Sequence, residues 1–115
     1  MERPERIARI CKVLGVEARV RIVQMLKRQV LCVGALAARL DITQGAVSQH
    51  LRILRDAGLV IPEKRGYYVH YKINQETFQE WKEVLDELLS LPASDSQGGN
   101  PCVRTKGAAA RSRKS

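Results

Sequence analysis

The chain has 115 residues, 44% of them hydrophobic and only 4% aromatic, with a formal net charge of +8. That length holds one domain, and the shortage of rings means a core of Leu, Val, Ile and Ala, which suits helices packed through aliphatic stripes. The longest apolar run, VLCVGALAA, has nine residues where a membrane span takes about 20, and the charged start MERPERIARI does not read as a secretory leader, so a soluble, cytoplasmic protein is expected.

Residues 5–14 place Ile7, Ile10, Cys11 and Leu14 on one helical stripe. Pro4 suits the start of that helix and Gly15 its end. A second helix is predicted over about 17–28, with Val20, Val23 and Leu26 along one side and Ile22 flanking. A short third helix covers about 33–40, and a fourth about 44–57. Thr43 is a good N-cap for the fourth and Gly58 a good residue just past its end. Val47, Leu51 and Leu54 recur at the spacing of a buried face, which leaves Gln44, Ser48, Gln49, Arg52 and Arg55 pointing elsewhere.

The period then changes to two. LVIPEK and YYVHYKI flank Arg65–Gly66, a hairpin signal with glycine supplying the turn. Pro62 has no amide hydrogen for a ladder, so the first strand belongs at an edge. Val69, Tyr71 and Ile73 share one face of the second strand, and Tyr68, His70 and Lys72 the other. Asn74 is placed to cap a last helix over about 75–91, whose apolar face holds Phe78, Trp81, Leu85, Leu88 and Leu89. The chain therefore divides into a domain over residues 1–92 and a tail over 93–115, expected to be disordered from its low hydrophobicity. The tail carries five Lys or Arg against Asp95, so half of the +8 lies there and half in the domain.

The fold class expected is mainly α with a small β-hairpin: a winged helix-turn-helix of five helices and a two-stranded wing. In such a unit the third helix braces the fourth, whose polar face matches a major groove in size. The basic charge agrees with a nucleic-acid partner. Gln44, Ser48, Gln49 and Arg52 are the candidates for base edges, with Arg52 also within reach of phosphate. Lys64, Arg65 and Tyr67 are candidates for backbone contacts, which position without specifying. His50 borders the core stripe, and both a structural hydrogen bond and a phosphate contact are open to it. No enzyme is expected: Ser48 and His50 are two apart on a helix and do not face each other, and no glycine-rich phosphate loop follows a strand.

TQGAVSQHLRILRDAGLV (43–60) resembles the recognition helix of the ArsR/SmtB family of bacterial repressors. KVLGVEARVRIVQML (12–26) is similar to that family's first helix junction, and GYYVHYKI (66–73) to its wing strand. The resemblance covers about residues 5–90. It implies a homodimer built through the first and last helices, bound to double-stranded operator DNA and released by an effector. A winged helix used only for protein contacts is the reading from another class, and the polar and basic residues gathered on 44–65 weigh against it.

Metal-sensing relatives carry Cys-x-Cys at the start of the helix before the recognition helix. LCVGAL (31–36) aligns with that motif, with Cys32 on its first cysteine and Gly34 in place of its second. The family's His-and-carboxylate site on the last helix is not expected, because both histidines, His50 and His70, lie elsewhere. Three readings of Cys32 stay open: a small core residue, a thiolate site for As(III) or another soft metal ion completed by Cys102 or Cys11, or a redox thiol. No cofactor is required in any of them.

Overall fold

The computed structural model describes residues 1–93. Five helices and three strands follow in the order α1 (Pro4–Leu14), α2 (Glu17–Leu26), β1 (Leu31–Cys32), α3 (Val33–Leu40), α4 (Gln44–Asp56), β2 (Val60–Arg65), β3 (Tyr68–Ile73) and α5 (Gln75–Leu88). This is the expected winged helix-turn-helix with one strand more than the hairpin. The extra strand, β1, is only two residues long and pairs antiparallel with β3, Leu31 opposite Tyr71 and Cys32 opposite His70. Two residues are too few to show a period, so the pattern could not announce it. The sheet order β1-β3-β2 leaves β2 at an edge, where Pro62 belongs.

The core is aliphatic apart from Trp81. Ile22, Leu36, Val47, Leu51, Leu54, Leu59 and Val60 are almost wholly buried, drawn from α2, α3, α4, β2 and the turn before it. One face differs from the expectation. Val20 is 40% exposed, while Ile22 is fully buried beside Val23 and Leu26. The inward stripe of α2 is 19, 22, 23 and 26, and its first member is the charged, half-buried Arg19. A search for apolar residues at helical spacing therefore settles on Val20, one position off.

The helix ends explain how α4 is set. The Thr43 hydroxyl accepts the Ala46 amide hydrogen at 3.1 Å, the cap its position promised. Asp41, at φ 60°, makes the left-handed step that turns α3 into α4. At the other end Gly58, at φ 85°, donates to Arg55 O at 2.8 Å, and Leu59 donates to Leu54 O at 2.9 Å. That bond pair is the Schellman closure, and it needs the left-handed residue.

Asn74 precedes α5 but does not cap it with its side chain. Its Nδ2 donates to Gly58 O at 3.0 Å and its amide to Leu59 O at 2.8 Å, so it fastens the start of α5 to the end of α4. On α5, Trp81 and Val84 are buried and Phe78 and Leu85 half-buried, whereas Leu88 and Leu89 stand 50% and 79% exposed.

Candidate nucleic-acid interface

The helix α4 buries Val47, Leu51 and Leu54 and turns Gln44, Ser48, Gln49, Arg52 and Arg55 to solvent. The predicted base-reading residues therefore lie on one exposed face. Ser48, Gln49 and Arg52 line a shallow groove together with Arg55 and with Tyr71 of β3. Arg55 and Tyr71 are not among the residues that the sequence pattern assigns to the site. Arg55 follows from helical spacing, whereas Tyr71 enters only because β3 folds back beside α4.

The wing turns in two residues. Arg65 pairs with Tyr68 across Gly66 and Tyr67, and only Gly66, at φ 64°, takes the left-handed region. That is the pattern of a type II′ hairpin, with glycine first. Tyr67 and Tyr68 stand 97% and 66% exposed at the tip. Lys64 and Arg65 are exposed beside them. Arg65 lies 3.5 Å and Lys72 3.6 Å from Glu63 Oε1, within ion-pair range but with neither making a hydrogen bond to it. The two cations are exposed while Glu63 is half-buried, and without a hydrogen bond the carboxylate holds them loosely.

His50 makes the structural hydrogen bond open to it through one ring nitrogen. Its Nδ1 accepts a hydrogen bond from Arg19 Nε at 3.3 Å. Its pKa lies below the usual histidine value, chiefly because burial disfavours the charged ring and also because the Arg19 charge is close.

Cys32 is half-buried at the joint of β1 and α3, where it is the N-cap residue without donating or accepting as a cap. Cys11, expected on the apolar stripe of α1, is exposed. Cys102 lies outside the described residues. His70 stands opposite Cys32 on one side and opposite Glu63 on the other, so the three occupy one row across the sheet. Among the described residues, though, no three of His, Cys, Asp and Glu are grouped to hold a metal ion. Gln44, on the exposed face of α4, is the neighbour of the Gly34 position: a Cβ placed there would sit 3.8 Å from Gln44 Nε2. No helix among the described residues is long and apolar enough to cross a membrane.

Residues 16–61 match the family described as "Bacterial regulatory protein, arsR family". The chain is 36% identical over 77 residues to the arsenical resistance operon repressor of Escherichia coli, a stretch covering 66% of each protein. It is 34% identical over 89 residues to the transcriptional repressor SmtB homolog of Synechocystis, covering 76% of this chain and 67% of that one. The chain thus spans about two thirds of these two curated relatives. The structure of HlyU from Vibrio cholerae, a protein named as a transcriptional activator, superposes with a TM-score of 0.62 at 36% identity, covering 77% of this chain and 98% of that one.

Proposed function

Because the chain belongs to the arsR family of bacterial regulatory proteins, we propose that it is a homodimeric repressor that holds operator DNA and leaves it when a thiol-reactive effector acts at Cys32. The observation that carries the reading is the exposed face of α4, where Gln44, Ser48, Gln49 and Arg52 stand over a fully buried stripe. Gln pairs bidentately with adenine, and Arg with guanine or phosphate. Lys64, Arg65 and Tyr67 on the wing take the flanking backbone. His50, already engaged by Arg19, keeps its Nε2 side for a phosphate.

The dimer is supported by an apolar cleft between α1 and α5, lined by Met1, Pro4, Ile7, Ala8 and Leu88. A second copy covering it on a twofold axis sets two recognition helices about one helical turn of DNA apart, or a multiple of that.

As(III) or another soft metal ion suits a thiolate at Cys32, completed by Cys102 or by Cys11. The nearness of Gln44 to the Gly34 position would give such an effector a short route to the DNA-reading face. The absence of a metal-capable group among the described residues favours, as a second reading, a redox-switched or effector-independent repressor of the same fold. HlyU is named an activator, so repression is the part of the proposal that a reporter assay tests directly.

Operator binding is tested with a duplex from upstream of the chain's own gene against a random duplex, at stated salt. The wild-type protein is expected to prefer the first. Gln49→Ala with Arg52→Ala should remove that preference, a cost of about 1–3 kcal/mol for each lost base pairing, while Lys64→Ala weakens both duplexes alike. Equal binding of both duplexes by the wild-type protein sinks the repressor reading. Release assays across arsenite, antimonite, cadmium, zinc and peroxide identify the effector. A response that survives Cys32→Ser returns Cys32 to the core.

A further inference from the structure

Arg19 reaches three elements at once. It belongs to α2, its Nη1 donates to Val13 O at 3.0 Å and to Lys12 O at 3.5 Å at the end of α1, and its Nε donates to His50 Nδ1 on α4. Among the described residues this is the one side-chain hydrogen bond from another helix to a residue within α4, since Asn74 ties only Gly58, beyond its end. Between its capped ends, the rest of what seats α4 is apolar contact, which is non-directional. Packing of Val47, Leu51 and Leu54 sets which face of the helix turns inward. A directional bond at residue 50, next to Gln49, refines the rotation of that face.

We propose that Arg19 is a positioning residue for DNA recognition, tying the carbonyl end of α1 to Nδ1 of a neutral His50 and thereby fixing the rotation at which α4 presents Gln49 and Arg52. The inference rests on the operator binding proposed above. Its chemistry is constrained on both sides. A guanidinium has donors only and stays charged, so Nδ1 must offer a lone pair and the ring proton must sit on Nε2. The free carbonyls at the end of α1 carry the negative pole of that helix and hold the guanidinium from behind. Protonating His50 sets an N–H against an N–H beside a fixed cation and breaks the tie to α4, leaving the tie to α1 intact.

Burial and Arg19 hold the His50 pKa below 6.5, so the bond is whole above that value and lost as pH falls through the depressed midpoint. Of the elements packed on α4, namely α2, α3 and β2, the charge that acts on His50 comes from α2, as Arg19. The other charged side chains on those elements include Arg39 on α3 and Glu63, Lys64 and Arg65 on β2. Because α1 also forms one wall of the cleft assigned to the dimer, a change of dimer geometry at α1 reaches the recognition helix through the same side chain.

The test uses the full chain and two readouts. Histidine ¹⁵N spectra of the free protein should show His50 protonated on Nε2 at about pH 7.5, with a midpoint below the ordinary histidine value; Arg19→Leu should remove the tautomer bias and raise the midpoint. The ratio of operator to random-duplex affinity should fall about five- to tenfold in the wild type between about pH 7.5 and 5, and Arg19→Leu should sit at the low level throughout, as expected for one hydrogen bond of ordinary net strength. His50→Asn places an acceptor oxygen where Nδ1 was, so it should discriminate better than His50→Leu and without the pH step. His50 protonated on Nδ1, or an Arg19→Leu protein with an unaltered ratio and pH step, overturns the inference. Equal ratios for His50→Asn and His50→Leu overturn it even where Arg19→Leu does not fold. Wild-type protein that fails to prefer the operator removes the operator-binding premise as well, whereas intact preference unmoved by these variants removes only the role of Arg19.

Discussion

Gly34 decides what thiol chemistry is open to Cys32. A soft trivalent or divalent ion binds sulfur well only when two or more sulfurs meet it, and one thiolate gains nothing from chelation. Residue 34 lies one turn-start beyond Cys32 at the head of α3, and a Cβ there makes only ordinary contact, 3.8 Å, with Gln44 Nε2. The helix therefore has room for a second thiol. Gly34→Cys is expected to bring As(III) release of DNA to concentrations on the order of a hundredfold lower, because the second sulfur binds intramolecularly. Titration of a fluorescent operator complex with arsenite measures it. An unchanged midpoint would mean that the head of α3 does not communicate with α4, and would take the Gln44 contact out of the mechanism.

At the scale of the element, α4 is held by its ends as much as by its stripe. Gly58 carries the left-handed closure at φ 85°, and a Cβ there would meet Thr77 Oγ1 at an unstrained 3.7 Å. The cost of Gly58→Ala is therefore backbone alone, about 1–2 kcal/mol. Gly58→Asn should cost less, because Asn tolerates that region. Urea unfolding of the three proteins checks the order, and equal midpoints would show that the closure opens at little cost.

Much of this element was legible beforehand. Thr43, the 47–51–54 stripe and Gly58 each answer a local rule, and the helix stands where those rules place it. What could not be read shares one cause, a partner distant in sequence. Asn74 looked like a cap for α5 and instead bonds Gly58 O, sixteen residues back. Arg19 heads the buried stripe of α2 because α1 and His50 satisfy its donors. The strand β1 exists because β3 is there to pair with it. In the candidate site, the face of α4 was periodic and visible, whereas Tyr71 joined it only through the fold of the wing.

At the scale of the whole molecule, the exposed leucines near the end of α5 are the feature a monomer does not explain. Leu88, Leu89 and Leu91 are 50%, 79% and 91% exposed, and Leu88 borders the cleft shared with Met1, Pro4, Ile7 and Ala8 of the first helix region. Single exposed leucines are ordinary, but a contiguous apolar face marks an interface. On a twofold axis each residue counts twice. Burying a fully exposed leucine is worth about 1.5–3 kcal/mol and Leu88 is already half covered, so its two copies would contribute roughly 1.5–3 kcal/mol to the proposed dimer, a factor of about 10 to 10² in its dissociation constant. Leu88→Glu removes that contribution and sets a carboxylate beside Glu87 in the same cleft. The wild-type melting temperature should rise with protein concentration and that of Leu88→Glu should not, with helical content unchanged because the side chain lies outside the core. Operator affinity should fall in step with the dimer, since a monomer reaches one half-site only. Sedimentation at micromolar concentration decides the matter: a variant that stays dimeric would place the interface elsewhere on the molecule and detach α1, and with it Arg19, from the path between dimer geometry and DNA.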